Sequence, residues 1–579
     1  MKATHISFPH LLRKFLPLFL VILVAVLFRF VWLDRIPGGV VHDELTYLLN
    51  SKAIALHWTD VTGVWNPLSV FIFHYPPGDV QAELPYFLFL PIVGLFPFSL
   101  FAAHATNAFL GVATVVVLYF LAKDFFGKET AFIAGIIAAA NPWSVYINRT
   151  AYEVTPAVFF YIIGLYVLCK TKSWKIFWSF PLFLLGFYSY IGMKVIFPLV
   201  MLAGIIFVWK KNGKKFTKQY VLLFLLSVCI TLGYLLLLKL QPGASRIGEL
   251  FSFSDPKIIG TVDTLRKTSL TTPTNSIFDN KITICTIVLI TKFFKTFSFD
   301  YLFVYGDSFF SLWHHGLFYY LDAVFLFIGT IATFVLSKRV FYFLLSLILI
   351  GTIPQLVHAS DVNNFTPHIA LIFPFMILFI SAGIWAAIKK FHHTHFFGLG
   401  IGVIVVLYAI LIGNFAHIYF FQSPIENGYF GFSDRIVARY AQIASQHTKV
   451  IIYAHQPVTF AERYLFYSNA GSVSPQQMKA VKARGDVTVG NVTISSCKSG
   501  DYVKMEETVV VDYICEQANP SHHLTVPQLI DGGEAYGIYN DNLCHVYPLQ
   551  SFPSQLRIDD ISLDLLTAPS FCSKFITSH

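Results

Sequence analysis

The chain has 579 residues, 55% of them hydrophobic and 13% charged, with a mean hydropathy of +0.63. Soluble globular chains carry about 25% charged residues, so a large soluble enzyme is excluded. The net charge of +9 comes largely from short loops between apolar stretches, which is a membrane-topology pattern and not a nucleic-acid-binding patch.

A helix needs about 20 apolar residues to cross a bilayer. Candidate spans are 11–33, 101–122, 130–147, 153–169, 175–191, 194–209, 219–238, 317–337, 340–357, 367–388 and 396–420, about 11 transmembrane helices. Segment 84–100 is apolar but interrupted by Pro85, Pro91 and Pro97, and reads as lying in the outer interface. Segment 11–33 is long and lacks a small-residue cleavage site, so it reads as a retained anchor and not a signal peptide.

Loop charges set the orientation. Arg13 and Lys14, Lys123 and Lys128, Lys170 to Lys175, Lys210 to Lys218, Lys338 and Arg339, and Lys389 and Lys390 fall on one side, whereas the short alternate loops carry little beyond Arg149 and Lys194. By the positive-inside rule the N-terminus is cytoplasmic and the loop after the first span is outside. The expected organisation is a membrane domain over 1–420, with large outer loops 34–100 and 239–316, followed by an extracytoplasmic domain over 421–579. Within loop 239–316, KFFKTF at 292–297 has the character of a segment lying on the membrane.

In the C-terminal region a helix-like SDRIVARYAQIASQ precedes a strand-like KVIIYA, then DVTVGNVTI and ETVVVDYIC, so the soluble domain reads as α/β or α+β. Cys497, Cys515, Cys544 and Cys572 all lie there. Four cysteines in one small domain point to two disulfides on an oxidising side, with three pairings open.

The first outer loop carries VVHDELTY, with adjacent acids Asp43 and Glu44. A carboxylate in reach of a hydroxyl serves as general base, and two neighbouring acids resist joint ionisation. The plainer alternative is a helix start with acids in its first turn. Glu83 lies at the outer interface before Pro85, and the second short outer loop, NPWSVYINRTAYEVTP, holds Arg149 and Glu153. The third, GFYSYIGMKVIFP, holds Lys194. Isolated cations outside run against the positive-inside bias. They read either as side chains snorkelling to headgroups or as a clamp on a lipid-linked phosphate, where fixed positive charge would favour departure of the leaving group. Arg29 lies near the outer end of the first span, His358 and His368 border spans nine and ten, and His314 and His315 precede span eight. Glu83 with His314 and His315 forms a candidate divalent-metal set, although no fixed-spacing motif supports it. No other cofactor is indicated.

In order, a single N-terminal span, Asp43-Glu44, ELPYFLFLPIVGLF, FAAHATNAFLGVATVVVLYFLAKDFFG, NPWSVYINRTAYE and GFYSYIGMK followed by VIFP resemble the GT-C glycosyltransferases of the protein O-mannosyltransferase and aminoarabinose-transferase (family 39-like) group. The resemblance covers roughly residues 15–390. It implies a GT-C-like bundle that moves a sugar, with inversion, from a polyprenyl-phosphate-linked donor to a protein, lipid or glycan acceptor at the outer face of the plasma (inner) membrane. It further implies Asp43 as catalytic base with Glu44 as its partner, Arg149 and Lys194 on the donor phosphate, and Glu83, Glu153 and His368 supporting them at the outer interface. The chain departs from the group where an Arg often follows the start of span two, here Ala103-His104, and near His368, here Pro367-His368.

A lipid-sugar transporter or flippase would place its charges in the midplane of broken helices, whereas these cluster at one surface. A polysaccharide polymerase or ligase would use the same carrier, with a denser set of outer arginines. A pure anchor for a C-terminal binding domain would not need so many spans.

Overall fold

The structure is a computed structural model that describes residues 8–61, 63, 81–213, 217–240, 255–312, 314–358, 364–391, 397–426, 430–468, 486–498, 502–515, 524–528, 533–549 and 555–578. Parts of the expected outer loops 34–100 and 239–316 fall outside these residues.

The helices follow the apolar stretches. α1 spans Phe8–Phe30, α2 His42–His57, α3 Pro85–Phe89, α4 Leu100–Phe126, α5 Lys128–Ala140, α6 Pro142–Asn148, α7 Val154–Lys170, α8 Ser179–Ser189, α9 Ile191–Lys194, α10 Phe197–Asn212 and α11 Thr217–Leu240. After helices α12 (Pro256–Thr268), α13 (Asn275–Phe278) and α14 (Lys281–Thr296), the bundle resumes. It continues with α15 (Tyr320–Leu336), α16 (Lys338–Gly351), α17 (Ile353–Val357), α18 (Thr366–Ile369), α19 (Ile372–Phe391) and α20 (Phe397–His417).

Among the described residues, five helices are long and apolar enough to cross a membrane, and a sixth if the pair α5 and α6, bent by 56°, counts as one span. Shorter apolar helices occupy Phe15–Phe30, Pro85–Gly94, Val154–Lys170 and Tyr320–Leu336. The expected continuous segment 175–191 is divided into a 3-10 turn, Ser173–Trp178, and α8.

Polar groups at the helix break inside the bundle are matched. The break between α5 and α6 falls at Asn141, whose side chain accepts the Ser144 amide at 2.9 Å, with Pro142 opening the new helix. The break frees carbonyls, which would be costly in hydrocarbon. The fully buried Arg29 of α1 answers them: its guanidinium donates to the Ala139 carbonyl (2.9 Å), the Ala138 carbonyl (3.3 Å), Ser144 Oγ (2.8 Å) and Asn148 Oδ1 (3.1 Å). Elsewhere α15 and α19 approach so closely that a Cβ on Gly329 would lie 1.8 Å from the Phe379 carbonyl oxygen, and one on Gly383 2.0 Å from that of Phe325. Without a hydrophobic drive between helices in lipid, such backbone contact is how small residues hold spans together.

The C-terminal domain contains helices α21 (Ser423–Glu426), α22 (Phe432–Ala444), α23 (Pro457–Tyr467) and α24 (Ala568–Phe575). Its strands are β1 (Val450–Ala454), β2 (Val487–Val489), β3 (Val492–Ser496), β4 (Thr508–Asp512), β5 (Leu524–Pro527), β6 (Glu534–Tyr539) and β7 (Thr577–Ser578). They form one sheet in the order β2-β3-β1-β4-β6-β5-β7. β1 runs parallel to β3 and β4, and the remaining pairings are antiparallel. Gly490, at φ +59°, supplies the left-handed residue of the two-residue turn between β2 and β3. The disulfides are Cys497–Cys515 and Cys544–Cys572, which resolves the three possible pairings.

This domain does not stand apart from the membrane part. Val40, Leu45, Leu48 and Tyr86, between α1 and α4, share one apolar core with Phe432, Ile436, Val450 and Phe466. The expected boundary near residue 420 therefore divides the chain in sequence, while in space the first loop packs into the C-terminal domain.

Candidate active site

α2 carries the acidic motif, and its N-terminus is fixed from two directions. Glu44, fully buried, accepts the Val41 amide at 2.7 Å through Oε2, closing the first turn of its own helix. Through Oε1 it accepts the amide of Ala151, tying α2 to the loop between α6 and α7. Burial pushes the Glu44 carboxyl up to about 8 against the opposing effect of those two amides, with the charges of Asp43 and Glu153 adding to the rise. Asp43, one residue earlier, is exposed. The two acids thus occupy opposite environments: one is buried and favours its proton, the other faces water. Such divergence separates acid and base roles in enzymes that use paired carboxylates.

Below the motif the polar contacts continue. His104 of α4, fully buried, places Nε2 3.8 Å from Glu44 Oε1. Tyr47, one turn on from Asp43, accepts the amide of Ala82 at 3.3 Å on its hydroxyl. The next residue, Glu83, is buried and receives Lys194 Nζ on both carboxylate oxygens, at 2.9 and 2.6 Å, together with the Tyr234 hydroxyl at 3.0 Å. Burial raises the Glu83 carboxyl even with Lys194 beside it. The Lys194 ammonium also lies 3.8 Å from the centre of the Tyr234 ring. Two separate polar links therefore tie the loops together: Glu44 to the Ala151 amide, and Glu83 to Lys194, with Tyr47 bonded to the neighbouring Ala82 amide.

Other predicted residues are placed differently. Arg149 is fully buried and donates to the carbonyls of Phe28 (3.0 Å), Val31 (2.9 Å) and Ile36 (2.8 Å), with Tyr419 and Phe420 stacked against it. In this arrangement it pins the C-terminal end of α1, where the expectation was a phosphate-binding cation. Glu153 precedes α7, half-buried, close enough for its charge to act on Glu44 and Tyr47. His368 is half-buried with its ring 4.8 Å from that of His358 and close to Gly192 in α9, two residues from Lys194. Among the described residues no three His, Cys, Asp or Glu side chains converge as metal ligands. Of the candidate metal set, Glu83 is engaged by Lys194, and His315 places Nδ1 2.8 Å from the Gly316 carbonyl.

Sequence reasoning did not assign roles to Tyr47, His104 or Tyr234. Tyr47 was detectable four residues after Asp43 on the same helix face. Nothing local marks Tyr234, which reaches Glu83 from 151 residues away.

No protein-family model matches the chain, and no curated protein matches it. Solved structures do. ArnT from Cupriavidus metallidurans bound to undecaprenyl phosphate aligns at 12% identity over 91% of this chain and 98% of its own, with a TM-score of 0.41. The apo form of that protein aligns at 11% identity over 91% and 97%, with a TM-score of 0.44. The oligosaccharyltransferase AglB from Archaeoglobus fulgidus, in complex with an inhibitory peptide and a dolichol-phosphate, aligns at 12% identity over 93% of this chain and 75% of its own, with a TM-score of 0.40.

Proposed function

We propose that this chain is an inverting membrane glycosyltransferase that moves a sugar from a polyprenyl-phosphate-linked donor to an acceptor at the outer face of the membrane, with Asp43 as general base. The observation that carries this reading is the split environment of the two acids: a water-facing Asp43 on a helix end clamped by the buried Glu44. A base must be ionised, reachable and held still. Asp43 is reachable from water, and the contacts of Glu44 with Val41 and Ala151 hold the helix end. Glu44, protonated more readily, serves as the structural partner.

The donor's sugar must reach water while its lipid stays in the bilayer, so the phosphate belongs at the outer ends of the helices. Lys194, at that level and bound to Glu83, is our assignment for the phosphate. Arg149 acts one step back, holding the end of α1 and the loop beside the motif. The two disulfides support an extracytoplasmic C-terminal domain, since such bonds persist in oxidising compartments.

The test is release of polyprenyl phosphate by purified protein offered a panel of polyprenyl-phosphate-linked sugars, with mass shifts scored on candidate acceptors. Loss of a general base costs roughly 100- to 10,000-fold, so Asp43→Asn should lower turnover into that range while the protein still folds and inserts. Undiminished transfer by Asp43→Asn would sink the base assignment.

A further inference from the structure

The lead-in to the acidic motif is gripped by the C-terminal domain. Arg435 of α22 donates to the Gly38 carbonyl at 2.7 Å. The Val40 amide donates to the Tyr467 hydroxyl of α23 at 2.9 Å. At Gly39 the two domains approach so closely that a Cβ would lie 2.1 Å from the Phe430 carbonyl oxygen. The last contact in this series reaches the motif itself. His42, the first residue of α2 and the neighbour of Asp43, places Nδ1 3.0 Å from Oε2 of Glu462 on α23.

That pair needs a reason. A cation at a helix N-terminus opposes the helix dipole, so an imidazolium at His42 is misplaced unless carboxylates surround it. A carboxylate buried to 1% exposure, as Glu462 is, is costly unless a cation answers it. Each group supplies what the other lacks. The neighbouring cation, Arg463, is already paired with Asp434 and leaves Glu462 to His42. The charged groups acting on His42 are Glu462, Asp43 and Arg463, and Glu462 holds its imidazole above the ordinary histidine value.

We propose that Glu462 of the C-terminal domain is a positioning residue for the acidic motif, fixing the His42 imidazole beside Asp43 so that the working edge of α2 is complete only when the two domains are docked. A cation held there stabilises the ionised form of Asp43 against the neighbouring acids. The consequence for transfer rests on the reading of Asp43 as base, whereas the pairing itself does not.

The experiment uses full-length protein in lipid nanodiscs with 13C-labelled histidine. The His42 resonance is identified by its loss in His42→Gln. In Glu462→Gln, which keeps the shape of the side chain, the His42 titration midpoint should fall by about one pH unit, a roughly tenfold loss of proton affinity. Glu462→Asp, the second variant, should recover most of it. In the transfer assay the acid limb of the kcat profile should move in Glu462→Gln and return in Glu462→Asp, with KM for the donor unchanged. A His42 midpoint indifferent to Glu462→Gln would overturn the pairing. A midpoint that moves while the kcat profile stays fixed would overturn the positioning role. If the wild-type protein transfers no sugar from any donor, the glycosyltransferase reading fails, and the interdomain pair stands or falls on the resonance alone.

Discussion

Glu44→Gln should change protein stability with opposite sign at low and high pH. Glu44 uses both oxygens as acceptors, one for Val41 and one for Ala151. A glutamine has a single acceptor oxygen, so one buried amide loses its partner, at about 1–3 kcal/mol. Against this stands the cost of ionising the buried acid. Its carboxyl is pushed from 4.5 to about 8, which corresponds to about 5 kcal/mol between protonation states. Because the folded value is the higher one, the folded protein keeps its proton as the unfolded chain releases it. The contribution of Glu44 to stability is thus fully present below about pH 4.5, falls as pH rises, and reaches its minimum above about pH 8. At pH 5 the folded acid is neutral and the charge cost is still under about 1 kcal/mol, so Glu44→Gln should be the less stable protein by up to about 2 kcal/mol. The curves should cross near pH 6, where the charge cost equals the lost hydrogen bond, and by pH 8.5 the glutamine variant should be the more stable by about 2–4 kcal/mol. The assay is reversible unfolding in mixed micelles, followed by far-UV circular dichroism between pH 5 and 8.5. A stability difference that stays constant across that range would refute the assignment of a buried, proton-retaining Glu44.

Further expectations concern the framework. Gly39→Ala would drive a Cβ into the Phe430 carbonyl at 2.1 Å, and should loosen the docking of the C-terminal domain by about 1–3 kcal/mol, read as faster limited proteolysis between the domains. Gly329→Leu should separate α15 from α19, because its Cβ would fall 1.8 Å from the Phe379 carbonyl oxygen, and lower the thermal midpoint in detergent without altering the C-terminal domain's resistance to protease. Replacing Cys544 and Cys572 by serine opens a bridge with a sequence separation of 28, and should cost about 3–4 kcal/mol by the loop-entropy estimate, measurable by thermal unfolding.

The sequence by itself determined the class of protein and the neighbourhood of its site. Composition required a bundle of apolar helices, because 13% charge cannot solvate a chain of this size as a soluble globule. The acids at 43 and 44, at the start of a helix with hydrophobic flanks, marked α2 and its cap, since capping is a local event over one turn. The four C-terminal cysteines announced two bridges, and the strand-like runs at 450–454 and 508–512 announced a sheet. The tertiary structure alone decided partnerships. Arg149 looked in sequence like a free outer cation, and is instead surrounded by three carbonyls more than 110 residues away. Asp43 and Glu44 are indistinguishable as a dipeptide; only the helical turn that points one into the Ala151 loop and the other into water gives them different chemistry. The C-terminal domain looked separable because its composition changes near residue 420, yet it shares a core with the first loop and offers Glu462 to His42 across the chain. Periodicity and capping depend on neighbours in sequence and can be read there, whereas the pairing of a buried charge depends on whatever the fold brings against it.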